Sequence, residues 1–219
     1  MPLVVIGINH RTAPVDIREK MVFAGEELPE ALRELAGQPG VREALIVSTC
    51  NRTELYCFAD DGAGGESTDG AAPVAVDPPA DPAAPLSDWL ANWHDLAAHR
   101  LDINQSLYRM HGSAAVQHLF AVACGLDSLV IGEPQILGQL KDAYRAALDQ
   151  KVTGPYLNRV MQTAFSVAKR VRTQTRIGAN AVSVVVNTNR EPMDGLEPLQ
   201  VIVPPSTLPR ILRGSRSPA

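Results

Sequence analysis

The chain opens on P-L-V-V-I-G-I (residues 2 to 8), an apolar run of strand length that ends near Asn9 and His10. Residues 14 to 20 and 26 to 36 predict two short helices. In the second, Leu28, Ala31, Leu32 and Leu35 recur at helical spacing. Residues 41 to 49 and 53 to 59 predict consecutive strands. The first has the core A-L-I-V, the second alternates polar and apolar as T-E-L-Y-C-F, and the short C-N-R corner joins them.

Residues 60 to 85 change character, with Gly, Pro, Ala and Asp dominating and nothing aromatic to bury. The composition predicts a flexible, partly extended insertion. Its G-A-G-G fragment follows a strand but fails as a dinucleotide fingerprint, because its third glycine is misplaced and prolines replace the required helix. A helix is then expected from Leu86 to His99, and a short strand from Gln105 to Met110. Helical spacing returns from Ser113 through Ala123, with Val116, Leu119, Phe120 and Ala123 on one side and Gly125 at the end. A long helix is predicted from Pro134 to Lys151 and another from Tyr156 to Thr175. The last has a core stripe of Leu157, Val160, Met161, Ala164, Ala168 and Val171. Its cations Arg159, Lys169, Arg170 and Arg172, with Arg176 just beyond, form either a solvated face or a phosphate-contacting patch.

Composition narrows the picture only a little. The 219 residues are 45% hydrophobic and 20% charged, ordinary for a soluble globular chain. No apolar run is long enough for a membrane helix, and the N-terminus lacks the basic start of a signal peptide, so a cytoplasmic protein is expected. A net charge of -4 gives no global attraction to nucleic acid, which leaves any RNA contact to a local patch. Of the three cysteines, Cys57 and Cys124 lie in apolar patterns and read as small core residues. No cysteine or histidine stands at metal-ligand spacing, so no metal is expected.

Cys50 is the exception, because its neighbours Thr49, Asn51 and Arg52 are polar and the corner exposes them. A thiolate there could attack a carbonyl, although a free thiol of pKa near 8.5 is only about a few per cent ionised at neutral pH. A thiolate that acylates needs a proton donor for the leaving oxygen. His10, His94, His99, His111 and His118 are available, and spacing does not choose among them. His94 and His99 are expected to be exposed near a helix end. The stretch G-L-D-S-L-V-I-G-E-P-Q-I-L-G-Q (125 to 139) sets Ser128, Glu133, Gln135 and Gln139 through an apolar run. It reads either as a loop and capped helix or as a pocket wall for an amino- and carboxylate-bearing ligand.

Four stretches, G-I-N-H-R-T-A-P-V (7 to 15), S-T-C-N-R-T-E-L-Y (48 to 56), residues 125 to 139, and F-S-V-A-K-R-V-R-T-Q-T-R-I-G-A-N-A-V-S-V (165 to 184), carry a resemblance. In this order they resemble the N-terminal catalytic domain of the glutamyl-tRNA reductases, over nearly all of residues 1 to 185. The resemblance implies an α+β, ferredoxin-like antiparallel sheet with added helices. It implies Cys50 as the nucleophile that takes glutamate from tRNA, and His118 as the acid/base. Thr49, Asn51, Arg52, Ser128, Glu133, Pro134, Gln135 and Gln139 match substrate-contacting positions, and Lys169, Arg170, Arg172 and Arg176 are the candidates for tRNA contact. It further implies NADPH as hydride donor, glutamate-1-semialdehyde as product and tetrapyrrole synthesis as context. Glutamyl-tRNA(Glu) and glutamate-1-semialdehyde aminomutase are the implied partners, and the family is homodimeric through a dimerisation region that has no counterpart in residues 186 to 219, which leaves the oligomeric state open.

Residues 186 to 219 depart from the family pattern. Pro192, Pro198, Pro204, Pro205 and Pro209 forbid a long helix, and no glycine-rich loop follows L-Q-V-I-V. A dinucleotide domain needs more than about 30 residues, so no NADPH-binding residues are assigned, and this tail is expected to be disordered. Two alternatives therefore stand beside the reductase: a hydrolase in which water resolves the Cys50 thioester, and a non-catalytic module that binds tRNA or a partner.

Overall fold

The structure is a computed structural model that describes residues 2–59, 83–96, 100–175 and 177. The expected insertion, apart from its last three residues, and the expected tail lie outside the described residues, as do His99 and Arg176.

Eleven elements are described. They run β1 (Leu3–Asn9), α1 (Val15–Lys20), α2 (Leu28–Ala36), β2 (Val41–Ser48), β3 (Arg52–Ala59), α3 (Ala84–Trp93), α4 (Arg100–Ser106), β4 (Tyr108–His111), α5 (Ser113–Cys124), α6 (Gln135–Asp149) and α7 (Pro155–Gln174). The four strands form one sheet in the order β2-β3-β1-β4, every pair antiparallel. Helices intervene between β1 and β2 and between β3 and β4, so the sheet is the split β-α-β arrangement of ferredoxin-like folds. The α+β expectation is met, and α5, α6 and α7 are the added helices.

Every residue of β1 and of β3 is buried, so the two central strands are covered on both faces. Helices α2 and α6 pack on β2, α5 packs on β1 and β4, and α7 lies along α5. The expected stripe of α7 is confirmed: Leu157, Met161, Ala164 and Ala168 are buried, with Val160 and Val171 partly so. Cys57 and Cys124 are both core residues.

Two expectations between residues 84 and 111 are corrected. The helix expected over 86 to 99 starts earlier, inside the predicted insertion, with Pro85 in its first turn, and stops at Trp93. His94 caps that end half-buried, edge-on to Phe23 at 4.6 Å, and burial pushes its imidazole down to about 4, so it is not the exposed histidine expected. The strand expected over 105 to 110 begins only at Tyr108, since residues 100–106 are helical. Ile103 and Leu107 are both buried and four residues apart, joined by a 2.9 Å hydrogen bond from the Leu107 N–H to the Ile103 carbonyl. That helical spacing outweighs the short apolar alternation.

A buried carboxylate fixes the start of α7. The register of β2 against β3 shifts between Val41 and Glu43, a bulge that turns Glu43 inward. Its oxygens accept the Tyr156 and Leu157 N–H groups at 3.1 and 2.5 Å, satisfying donors that a helix N-terminus otherwise leaves unpaired. The approach is tight, because a Cβ at Gly154 would stand 2.5 Å from the carboxylate. Gly154→Ala therefore displaces Glu43 and lowers the unfolding free energy by about 1–3 kcal/mol. Urea unfolding should show a lower midpoint at an unchanged m-value; an unchanged midpoint would contradict this account of the cap.

Candidate active site

The corner between β2 and β3 is a four-residue turn, closed by the Thr49 N–H donating to the Arg52 carbonyl at 2.8 Å. Tight hairpin turns usually need positive φ at their central residues, yet neither Cys50 nor Asn51 has it. Thr49 supplies the compensation: its Oγ1 accepts the N–H groups of Asn51 and Arg52 at 3.2 and 3.1 Å. From α1, Arg18 reaches the same turn, donating to the Cys50 carbonyl at 2.8 Å and to Asn51 Oδ1 at 3.2 Å. The backbone of Cys50 is thus held from two sides while the residue itself is exposed. Arg18→Ala is expected to slow acyl transfer to Cys50 by about 10–100-fold, since small misplacements of a nucleophile have effects of that size. Its melting temperature should hardly move, and a rate equal to wild type would remove the positioning role.

The facing wall is the loop after α5. Gly125 and Gly132 both have positive φ, +74° and +82°, and the Gly132 N–H donates to the Gly125 carbonyl at 2.8 Å. A Cβ at Gly125 would lie 3.3 Å from Gly132 Cα, so glycine lets the loop fold back on itself. This loop presents Ser128, Leu129 and Glu133, and the first turns of α6 present Gln135, Ile136 and Gln139. With Cys50, Asn51 and Arg52 they line a cleft of about 20 Å³, room for little more than one water.

Behind the cleft lies a buried ionic network. Glu54 has no exposed surface, and its Oε1 accepts from Arg52 Nη1 at 2.7 Å, from His118 Nε2 at 2.8 Å and from the Tyr108 hydroxyl. Its Oε2 accepts from the Tyr56 hydroxyl at 2.6 Å. Burial alone would raise the Glu54 pKa, but the Arg52 charge, then the His118 and Tyr108 hydrogen bonds, outweigh it and bring it down to about 2. Arg52 shows the same balance, with burial opposing its charge and Glu54 more than restoring it. An ionised carboxylate only accepts, so the proton on the shared edge belongs to His118 Nε2, and Nδ1 faces Asp127 at 4.0 Å. Asp127 ties the loop to the sheet through ion pairs with Arg52 at 3.3 Å and Arg11 at 3.1 Å and a hydrogen bond from Asn9 at 3.4 Å. Its backbone carbonyl also accepts from Arg52. Gly7 makes the room for this network, since a Cβ there would meet Glu54 Cγ at 2.8 Å.

The cleft therefore unites Cys50, Asn51, Arg52, Ser128, Glu133, Gln135 and Gln139. Thr49 sits beside it with its hydroxyl engaged in the turn, and exposed Pro134 caps α6. His118 is buried within the network behind. Lys169 and Arg170 are exposed on α7, whereas Arg172 turns back to donate to the Glu133 carbonyl at 2.8 Å. Sequence reasoning missed Arg18, Glu54, Tyr56, Tyr108 and Asp127. Glu54, Tyr56 and Asp127 lie inside two of the four quoted stretches, which was the available signal.

The molecule is thus an α+β, ferredoxin-like domain that carries a thiol-bearing turn over a buried Glu-Arg-His network. The family described as "Glutamyl-tRNAGlu reductase, N-terminal domain" matches residues 6–175. The chain is 50% identical over 184 residues to glutamyl-tRNA reductase of Marinobacter nauticus, a match covering 84% of this chain and 38% of that one. With the reductase of Pseudoalteromonas translucida it shares 47% identity over 185 residues, covering 84% and 39%. Among solved structures, glutamyl-tRNA reductase from Methanopyrus kandleri superposes with a TM-score of 0.60 at 31% identity, covering 83% of this chain and 37% of that one. The chain belongs to the glutamyl-tRNA reductase family, in its N-terminal domain. It spans about two fifths of the length of the curated relatives it matches. No helix among the described residues is long and apolar enough to cross a membrane.

Proposed function

We propose that this domain takes the glutamyl group from glutamyl-tRNA(Glu) onto Cys50. The Cys50 thiolate attacks the ester carbonyl, the carbon–oxygen bond to the tRNA 3′ ribose breaks, and the leaving oxygen takes a proton. The acyl group then rests on Cys50 Sγ as a thioester, a better hydride acceptor than the oxygen ester it replaces. The observation that carries this reading is the cleft, which places the exposed thiol of Cys50 among six polar or ionic neighbours drawn from two distant stretches. Glu133 suits the substrate ammonium, and Asn51, Ser128, Gln135 and Gln139 suit its remaining polar groups. His118, with Nε2 held by Glu54, has Nδ1 left to exchange a proton on the Asp127 side.

The activity proposed for the whole protein is NADPH-dependent reduction of that thioester to glutamate-1-semialdehyde in the cytoplasm, on the route to tetrapyrroles. The aminomutase acting on that aldehyde and a second copy of the chain are its proposed partners. The described residues do not fit a dinucleotide: their sheet is wholly antiparallel, whereas such cofactors sit at the ends of parallel strands. No hydride step is therefore assigned to them. Exposure of Cys50 favours a second reading, hydrolysis of the thioester by water to free glutamate.

Labelled glutamyl-tRNA incubated with the chain tests acyl transfer, hydrolysis and reduction. Label retained on the protein supports acyl transfer. Free glutamate that vanishes in Cys50→Ser supports hydrolysis, semialdehyde that appears only with NADPH supports reduction, and deacylation equal to a protein-free blank removes all three.

A further inference from the structure

Helices α6 and α7 leave a second, larger recess between them. It encloses about 520 Å³, within the range of small-ligand sites, and is lined by Lys141, Lys169 and Arg172 with Gln162, Ser166 and Thr173 as polar neighbours. Its remaining walls, Leu137 and Phe165, are apolar, and the Lys141 ammonium stands 5.9 Å over the Phe165 ring. Three cations and no carboxylate line this groove, in a chain whose net charge is -4. That concentration of charge calls for an anion, and a groove rimmed by lysines over an apolar floor suits the backbone of an RNA strand.

Arg172 gives the groove a connection to Cys50. Its Nη2 donates to the Glu133 carbonyl, its Nε is buried with no hydrogen-bond partner, and Glu133 itself lines the Cys50 cleft. A buried N–H without an acceptor is a costly arrangement, and a phosphate oxygen arriving in the groove supplies what it lacks. Turning the guanidinium toward that phosphate withdraws it from Glu133. The loop it releases is the wall of a cleft that, at about 20 Å³, is too small for a glutamyl group.

We infer that the α6–α7 groove is an RNA-phosphate subsite and that Arg172 acts as a latch, opening the Cys50 cleft when the groove is filled. The inference rests on the glutamyl-tRNA reading for the identity of the RNA. Arg172 is a positioning residue in it, acting on Cys50 through Glu133, and not a plain surface contact.

The test uses the full chain and a tRNA lacking its 3′-terminal four nucleotides, so that the RNA end cannot cover the thiol. Binding is read by fluorescence anisotropy across a salt series. Cleft opening is read by Cys50 alkylation with a glutamate-derived chloromethyl ketone, whose glutamyl part must enter the cleft although the thiol itself is exposed, and which is selective because Cys57 and Cys124 are buried with thiols shifted upward by that burial. In wild type, saturating RNA should speed alkylation by about fivefold or more, a common size for coupling between sites. Lys141→Ala/Lys169→Ala should weaken binding, lower the salt slope by about two, and abolish the RNA effect at matched RNA concentration. Arg172→Ala should alkylate fast without RNA and gain nothing from it. Circular dichroism melts confirm that the variants are folded, and Arg172→Lys, which keeps the charge but cannot bridge in the same way, should also lose the coupling.

An unchanged affinity and slope in the lysine variant would overturn the subsite. An RNA-insensitive alkylation rate in wild type, or an Arg172→Ala rate equal to wild type, would overturn the latch. Label transfer from intact glutamyl-tRNA is scored separately, so loss of the acyl-transfer reading is not confused with loss of either.

Discussion

Glu54→Ala should lower the unfolding free energy at neutral pH by roughly 3–5 kcal/mol, the range found when one partner of a buried ion pair is removed. Four donors converge on this carboxylate, from Arg52, His118, Tyr56 and the half-buried Tyr108, and the first three are buried with no solvent to turn to once it is gone. Among the described residues, Arg52 would keep only Asp127 as a counter-charge. Glu54→Gln isolates the electrostatic part, since an amide of the same shape brings its own N–H groups against donors. The pH dependence has a definite sign. Glu54 titrates near 2 in the folded protein against an ordinary 4.5, so its contribution is full above pH 4.5 and is lost as the pH falls toward 2. Wild type should destabilise steeply through that interval, and Glu54→Gln should be flatter there from a lower starting point. Urea titrations at several pH values read both features. Equal stability at neutral pH would mean that the network does not hold the fold.

The second large effect is chemical. Cys50→Ser should reduce label transfer from glutamyl-tRNA by about a thousandfold or more, the scale seen when an essential nucleophile is lost. A serine hydroxyl is far less ionised than a thiol at neutral pH, and an ester formed on it would be no better an acceptor than the tRNA ester it came from. Neither remaining thiol can substitute. Cys57 lies within the sheet with burial pushing its pKa up to about 12, and Cys124 is buried at the end of α5. Peptide mapping of the labelled protein should therefore place the adduct on residue 50 alone. Label on Cys57 or Cys124 would count against the cleft as the acceptor site.

How much of this could be read from the chain differs between the two halves of the site. The Cys50 corner was legible because a turn between two strands exposes its residues, and polar ones there stand out. The segment 125 to 139 was legible for the same reason, as polar side chains in an apolar run. Glu54 was not. The alternation in T-E-L-Y-C-F carries no sign that its polar positions are enclosed as well, yet all eight residues of β3 are buried. What meets them is His118 of α5 at Glu54, Asp127 of the loop after it at Arg52, and helix α7 packed on the strand, all more than 50 residues along the chain, and periodicity is blind to contacts at that separation. Arg18 escaped for a related reason: in a short helix with no buried residue it looked like any solvated cation, and only the folded hairpin brings Cys50 within its reach. Arg172 was singled out for its charge, but its bond to the Glu133 carbonyl had no counterpart in the pattern.

Helix α7 is pinned by polar contacts near both ends, at Glu43 beside its first turn and at Glu133 through Arg172 near its last. Its 20 residues make a rod of about 30 Å. A rod fixed at two points behaves as a strut, holding the loop that walls the cleft at a set distance from the bulged strand β2. Mechanical slack introduced at Gly154 would then be felt at the thiol, the whole length of the helix away.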